Sequence, residues 1–220
     1  MLEKNEWWSV IAKYNESIFP FQWMALILLI VLTIFLIFRD KKSANKLIKL
    51  TLSMMNIFIG VGFFIMSKGF PIRLRLIQGL LFVIIGVLLF SDIFKNKYEF
   101  QFPENGWKRI FFIVGMIFMM IYPFVGIFQG KEINYCIIQG TLPCPTTAYT
   151  LILIITAYKR YGKFLYILLL FWAIPFPIFI QLPKYGVYED AIMCIIGIVG
   201  LINLIYDIKF NKDVKESSNV

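Results

Sequence analysis

The chain has 220 residues, 60% of them apolar and 16% charged, with a formal charge of +9. Several uninterrupted apolar runs reach the ~20 residues needed to cross about 30 Å of hydrocarbon, which excludes a water-soluble globular domain and predicts an all-α, polytopic integral membrane bundle. Histidine is absent, which excludes Ser/His and Cys/His catalysis, His-containing metal sites and a histidine proton relay.

The chain opens on Glu3 and Glu6, and no small-residue cleavage site follows the first apolar run, so that run is expected to stay as a span rather than leave as a signal peptide. In "EWWSVIAKYNESIF", Trp7, Ile11, Tyr14 and Ile18 share one helical face while Ser9, Lys13 and Glu16 point elsewhere. Residues 1–17 therefore read as a short amphipathic helix in the outer interface, with Trp7 and Trp8 as headgroup anchors. Seven spans follow, Ile18–Phe38, Leu47–Met66, Leu74–Phe94, Ile110–Phe128, Pro145–Tyr158, Phe164–Leu182 and Ala191–Ile208. Residues 18–208 form one membrane domain, and 209–220 a polar cytoplasmic tail. No repeat, low-complexity tract or long linker interrupts it.

With the N-terminus outside, the outer segments hold Lys4, Lys13, Lys68, Arg73, Arg75, Lys131 and Lys184, seven of the 22 basic residues, and the cytoplasmic segments the other fifteen. Arg39, Lys41, Lys49, Lys159, Arg160, Lys212 and Lys215 are among those fifteen. The bias predicts N-outside and C-inside, and it assigns the basicity to orientation and anionic lipid rather than to nucleic acid. The centres of the spans carry no Asp, Glu, Lys or Arg. Pumps and proton-coupled transporters normally keep such charges at depth, so a charge-driven transporter is disfavoured. Span seven also lacks the lysine that a retinal Schiff base requires. The uncharged polar residues Ser53, Asn56, Gln78, Thr150, Thr156 and Asn203 read as interhelical hydrogen-bonding groups worth about 0.6 kcal/mol each. Glycines such as Gly60, Gly79, Gly86 and Gly115 read as close helix approaches, and Pro175 and Pro177 as a bend in span six.

The least ordinary stretch is "QGTLPCPTTAYT", residues 139–150. The span it opens has fourteen residues from Pro145 to Tyr158, about 21 Å of helix against roughly 30 Å of hydrocarbon. If Tyr158, Lys159 and Arg160 mark the cytoplasmic interface, the helix starts below the outer one, and "YCIIQGTLP" dips inward to reach it. Irregular backbone at that depth must be buried in protein or face a wet cavity, so Cys144 is expected at the bottom of an outward-open depression. Pro145 suits the first helical position, and the positive helix end beside Cys144 favours a thiolate or a bound anion. Thr146 and Thr147 add hydroxyls. The plainer reading is a helix start and nothing more. Cys136 lies close enough in sequence to bridge Cys144 or to stay free, and Cys194 reads as a small core residue.

Three polar clusters precede odd-numbered spans and so share one face: Tyr14, Asn15 and Glu16; Cys144, Thr146 and Thr147; Tyr188, Glu189 and Asp190. Acids beside amide, phenol and hydroxyl groups suit a cation, an amine or a polar small molecule. Glu189 and Asp190 are equally good N-terminal residues for a helix. The stretch "YNESIFPFQW", with Tyr14, Asn15, Glu16, Pro20, Gln22 and Trp23, followed late by "LPCPTT", resembles an uncharacterised family of prokaryotic multi-span membrane proteins, domain of unknown function 6064. The likeness extends over almost the full length, including the proline-bent span six and the "GVYED" turn. The chain departs from that family's pattern near the end of span four, where Gln129, Gly130 and Lys131 stand in place of a histidine.

The resemblance implies architecture and candidate positions but no reaction. The reading that results is a multi-pass plasma-membrane protein of a prokaryotic cell. It has an outward-facing polar pocket for binding, sensing or facilitated passage of a small solute or cation. Its candidate ligand-binding residues are Tyr14, Asn15, Glu16, Gln22, Cys144, Thr146, Thr147, Glu189 and Asp190. Membrane lipid is a partner and nucleic acid is not, no cofactor is called for, and homo-oligomerisation is compatible. A thiol enzyme built on Cys144 with Glu16 or Glu189 as acid-base partner, and an assembly subunit using the small-residue faces, are the alternatives.

Overall fold

The structure, a computed structural model, describes residues 2–38, 41–67, 71–157 and 162–217. Arg39, Lys68, Tyr158, Lys159 and Arg160, and the side chains of Lys41, Lys212 and Lys215, on which the charge and boundary expectations partly rest, lie outside what is described. Eight α-helices follow in order among the described residues: α1 (Lys4–Ser17), α2 (Phe21–Phe38), α3 (Lys41–Phe58), α4 (Ile72–Lys95), α5 (Trp107–Phe128), α6 (Pro143–Thr156), α7 (Lys163–Ala173) and α8 (Asp190–Ser217). Two of them continue as π-helical turns, α3 through Ile59–Ile65 and α7, after a break at Ile174, through Pro177–Tyr185. Pro175 and Pro177 stand at that break, as missing amide donors require.

Six helical stretches are long and apolar enough to cross a bilayer: Phe21–Phe38, Lys42–Ile65, Ile72–Lys95, Trp107–Phe128, Lys163–Tyr185 and Asp190–Lys209. Their outward faces are apolar, with Phe38, Ile77, Phe94, Ile110 and Phe128 exposed, a surface suited to lipid. The expected count of seven is therefore corrected to six. The seventh run is α6, whose 14 residues are too few to cross alone, and every one of them is buried inside the protein. A helix apolar on all sides belongs in the middle of a bundle. α6 packs against α3, α5, α7 and α8, and Tyr149 and Thr33 join it to α2 through a 2.8 Å hydroxyl pair. Gly115 of α5 approaches Ile152, and Gly200 of α8 approaches Ile155.

The small-residue packing lies mostly within the chain. A Cβ at Gly60 would come within 2.6 Å of the Gly79 carbonyl, and one at Gly86 within 2.8 Å of the Ser53 carbonyl, so α3 and α4 meet backbone to backbone. Ser53 reinforces that seam by donating to the Gly86 carbonyl at 2.8 Å. Thr150 and Thr156, expected to bond across helices, instead donate to the carbonyls of Thr146 and Ile152 one turn back, each at 2.7 Å. Inside an apolar shell this is the partner a hydroxyl always has within reach.

α1 also departs from expectation. Its apolar face is the predicted one, yet Trp7 and Trp8 are only 6% and 8% exposed, because the helix lies against protein rather than headgroups. Trp7 stacks on Tyr185 at 5.1 Å and the Trp8 indole donates to the Tyr185 carbonyl at 3.0 Å, so α1 is a roof on one end of the bundle.

The other end is closed by a buried clasp. Lys49 of α3 is fully buried and pairs with Asp92 of α4 at 2.9 Å. It also donates to Asn96 Oδ1 at 3.0 Å, while Asp92 accepts the amides of Lys97 at 2.7 Å and Tyr98 at 3.2 Å. Asn45 completes the network by accepting the Phe100 amide at 2.9 Å. Lys49→Met should leave Asp92 buried without a counter-charge and cost about 3–5 kcal/mol, read as a fall in thermal stability in detergent. The double variant Lys49→Met/Asp92→Asn is expected to recover part of that loss. Equal stability of wild type and Lys49→Met would show that the pair contributes nothing.

Candidate functional site

Residues 129–142 leave α5 and fold back into the bundle. Gln139 donates to the Met119 carbonyl at 2.9 Å, and Met119 lies nine residues before the end of α5, so the segment descends by about 13 Å. A helix that begins there faces a donor problem, since its first four amides have no carbonyl one turn back. The local sequence removes most of it. The helix starts at Pro143 rather than Pro145, which puts prolines at both N1 and N3 where neither has an N–H to satisfy. Leu142 donates its amide to the Ile138 carbonyl at 3.1 Å, leaving the Cys144 amide as the remaining member of the set. Thr146 fastens the turn, donating to the Leu142 carbonyl at 2.7 Å and accepting the Gly140 amide at 2.8 Å. Gly140 has φ +91°, and a Cβ there would press within 3.0 Å of Ala25 and Met55.

Around this helix start lies a cavity of about 90 Å³, roofed by α1 and walled by the π-helical ends of α3 and α7 and the first turns of α4. That is room for a small molecule or several waters. Its walls are aromatic, formed by Trp7, Phe63, Phe64, Trp172, Phe176 and Tyr185. Trp172 stacks on Phe176 at 4.1 Å and meets Phe64 edge-on at 5.8 Å. The polar groups that reach it are Gln78, Cys144, Gln181 and Asp190.

Asp190, the first residue of α8, is fully buried. The Tyr122 hydroxyl of α5 donates to its Oδ1, while Oδ2 has no hydrogen-bond partner. The Cys144 thiol lies beside the carboxylate, with the Trp172 indole also at its side. Tyr122 is six residues before the end of α5, so Asp190 stands about 9 Å inside that end of the bundle. This corrects its expected place ahead of the span, and it corrects the expected character of Cys144: the thiol has an acid for a neighbour rather than a cation, the reverse of what favours a thiolate.

Glu189, in the turn just before α8, has other partners than Asp190. Its Oε1 meets Lys131 at 3.4 Å, and its buried Oε2 has no hydrogen bond. Lys131 also lies over the Trp8 ring at 3.7 Å. Burial pushes the Lys131 ammonium below the ordinary lysine range, and Glu189 pulls it back up. Lys131 thus ties the dipping segment to α1 and to the start of α8.

Cys144 and Asp190 are therefore brought together at one cavity, and Glu189 sits next to it without lining it. The remaining expected residues fasten the roof. Asn15 donates to the carbonyls of Asn134 and Cys136 at 2.7 and 2.8 Å, Gln22 donates to the Asn15 carbonyl at 3.1 Å, and Tyr14 donates to the Thr141 carbonyl at 3.2 Å. Glu16 is exposed and accepts from Asn134 at 3.2 Å. Thr147 is buried with its hydroxyl unpartnered and does not line the cavity. Cys136, Cys144 and Cys194 are all free, so the bridge left open above does not form. Cys136 packs with Leu26 and Ile138. The acid-base partners considered for a thiol enzyme, Glu16 and Glu189, do not reach the cavity.

Tyr122 and Trp172 went unnoticed in the sequence, and Lys131 stood out there only for its charge and its place after span four. Tyr122 and Trp172 did carry a signal: aromatic side chains with a polar tip inside an apolar run need a buried partner or a cavity. Tyr122→Phe should strip Asp190 of its hydrogen bond and lower stability by about 1–3 kcal/mol, measurable as a lower unfolding temperature. An unchanged transition would mean that the pair is not formed in the folded protein.

Among the described residues no group of three or more Asp, Glu or Cys side chains is arranged to hold a metal ion. No curated protein and no solved structure is similar enough to this chain to match it. A family model matches residues 4–215, nearly the whole length, and the chain belongs to the family of unknown function DUF6064.

Proposed function

We propose that this protein binds a small solute in the cavity beside α6, in the plasma membrane of a prokaryotic cell, with its N-terminus outside and its C-terminus in the cytoplasm. The observation that carries the reading is Asp190, a buried carboxylate with a free oxygen on an aromatic-walled cavity. A carboxylate placed so deep is costly unless something compensates it, and in a membrane bundle such residues mark ligand and ion pathways.

The orientation draws support from the path of the chain. The descent of residues 129–142 by about 13 Å and the 21 Å or so of α6 together cover one membrane thickness, so the dip and the short helix act as one crossing. With the six long helices this restores the odd number of passes that the basic residues imply. Binding or sensing fits the bundle better than free passage, since α6 fills its middle and the Lys49–Asp92 clasp closes the far end. An assembly subunit fits less well, because Gly60, Gly79, Gly86, Gly115 and Gly200 are all occupied by contacts within the chain.

In a Cys136→Ala/Cys194→Ala background, Cys144 of the folded protein should react with the small neutral reagent methyl methanethiosulfonate and resist a bulky maleimide. Reaction only after denaturation would close the cavity to solutes and remove the site. For orientation, a cysteine introduced by Lys13→Cys should be labelled on intact cells by an impermeant maleimide, and one introduced by Lys97→Cys only after permeabilisation. The opposite pattern would invert the protein.

A further inference from the structure

We propose that the ligand is a lipophilic monoamine, its ammonium held by Asp190 and its apolar body laid along the aromatic wall. The inference rests on the reading of the cavity as a solute site and names the chemistry of what enters. Asp190 is fully buried with one oxygen satisfied by Tyr122 and the other unpartnered. No Lys or Arg lines the cavity, and the nearby Lys131 is engaged with Glu189 and the face of Trp8. No side chain lining the cavity supplies Asp190 with a positive charge, so a cation that enters meets an acceptor oxygen without a hydrogen-bond partner.

The remaining walls decide what kind of cation it is. A metal ion needs several hard ligands, and beside this single carboxylate stand a thiol and two amide side chains. An organic ammonium needs one counter-charge and is further stabilised by nearby aromatic rings, and Trp7, Trp172, Phe64 and Tyr185 line the same cavity. The remainder of the molecule is apolar because the cavity extends between Leu74 of α4 and Ile180 of α7. Leu74 is 39% exposed and Ile180 is half-buried, so this wall of the cavity is apolar and reaches the surface of the protein. An amine with a short alkyl or aryl tail matches such a cavity, its charge at Asp190 and its tail against Leu74 and Ile180.

The test compares hexylammonium with hexan-1-ol, the same chain without the charge, on the purified full-length protein in maltoside detergent. Binding is followed by tryptophan fluorescence and by protection of Cys144 from methyl methanethiosulfonate. Hexylammonium is expected to bind saturably and at least tenfold more tightly than hexanol, and Asp190→Asn to erase the difference while Asp190→Glu keeps part of it. Because the amine-against-alcohol comparison needs no variant, misfolding of the Asp190 variants would not decide it. Equal affinity for amine and alcohol, or an amine preference that survives Asp190→Asn, overturns the assignment and leaves the cavity as a solute site. Absence of saturable amine binding overturns it too. If Cys144 is then also unreactive in the folded protein, the solute site falls with it.

Discussion

The structure depends on the complete burial of α6. A 14-residue helix cannot satisfy a bilayer by itself, but enclosed by α3, α5, α7 and α8 it no longer has to. Its backbone is satisfied internally, its threonines bond back onto their own helix, and its apolar side chains face other side chains in every direction. The surrounding helices keep their lipid-facing surfaces because the centre is filled by a segment that has none. The Pro-Cys-Pro start follows from the same constraint. A helix that begins in a place without water must begin with few free amides, and two prolines in the first turn are a direct way to arrange that.

Stopping α6 short opens a space between its N-terminus and the end of the bundle, and the chain uses that space twice. The segment 129–142 fills part of it and is held to α5 by Gln139 and to α1 by Asn15. The rest is the cavity. Its chemistry is lopsided, with aromatic walls and one carboxylate that its own neighbours satisfy by half. Tyr122 holds that carboxylate toward α5, which leaves the second oxygen for the cavity. α1 closes the space from above with Trp7 and Ile11, so a helix that could have been a membrane anchor becomes part of the site.

The two ends of the bundle treat charge in opposite ways. About 21 Å of helix separates Lys49 from Phe63 at the cavity, and at the Lys49 end the buried charges are matched: lysine to aspartate, with asparagines and backbone amides taking up the remaining bonds. That end is built to stay shut. At the cavity end Glu189 has a lysine at 3.4 Å and Asp190 has none, so one acid serves the architecture and its neighbour is left with unused capacity. Adjacent in sequence, they differ in partner: Glu189 meets Lys131 and Asp190 meets Tyr122.

Composition and hydropathy determined the helical class, the long apolar helices, the apolar face of α1, the break at Pro175 and Pro177, and the short helix opened by "LPCPTT", because each rests on local periodicity or on residues with fixed backbone consequences. The same reading put Cys144 and Asp190 in clusters on one face, without pairing them. Only the tertiary structure decided the rest. It separated Glu189 from Asp190, moved Trp7 and Trp8 from headgroups to protein, and turned Asn15 and Gln22 from ligand candidates into fasteners of a loop. It also brought Tyr122, Lys131 and Trp172 to the site. The physical reason is that burial and partnership depend on which helices meet. A fold whose middle is occupied by an enclosed half-helix creates contacts that no single stretch of chain records.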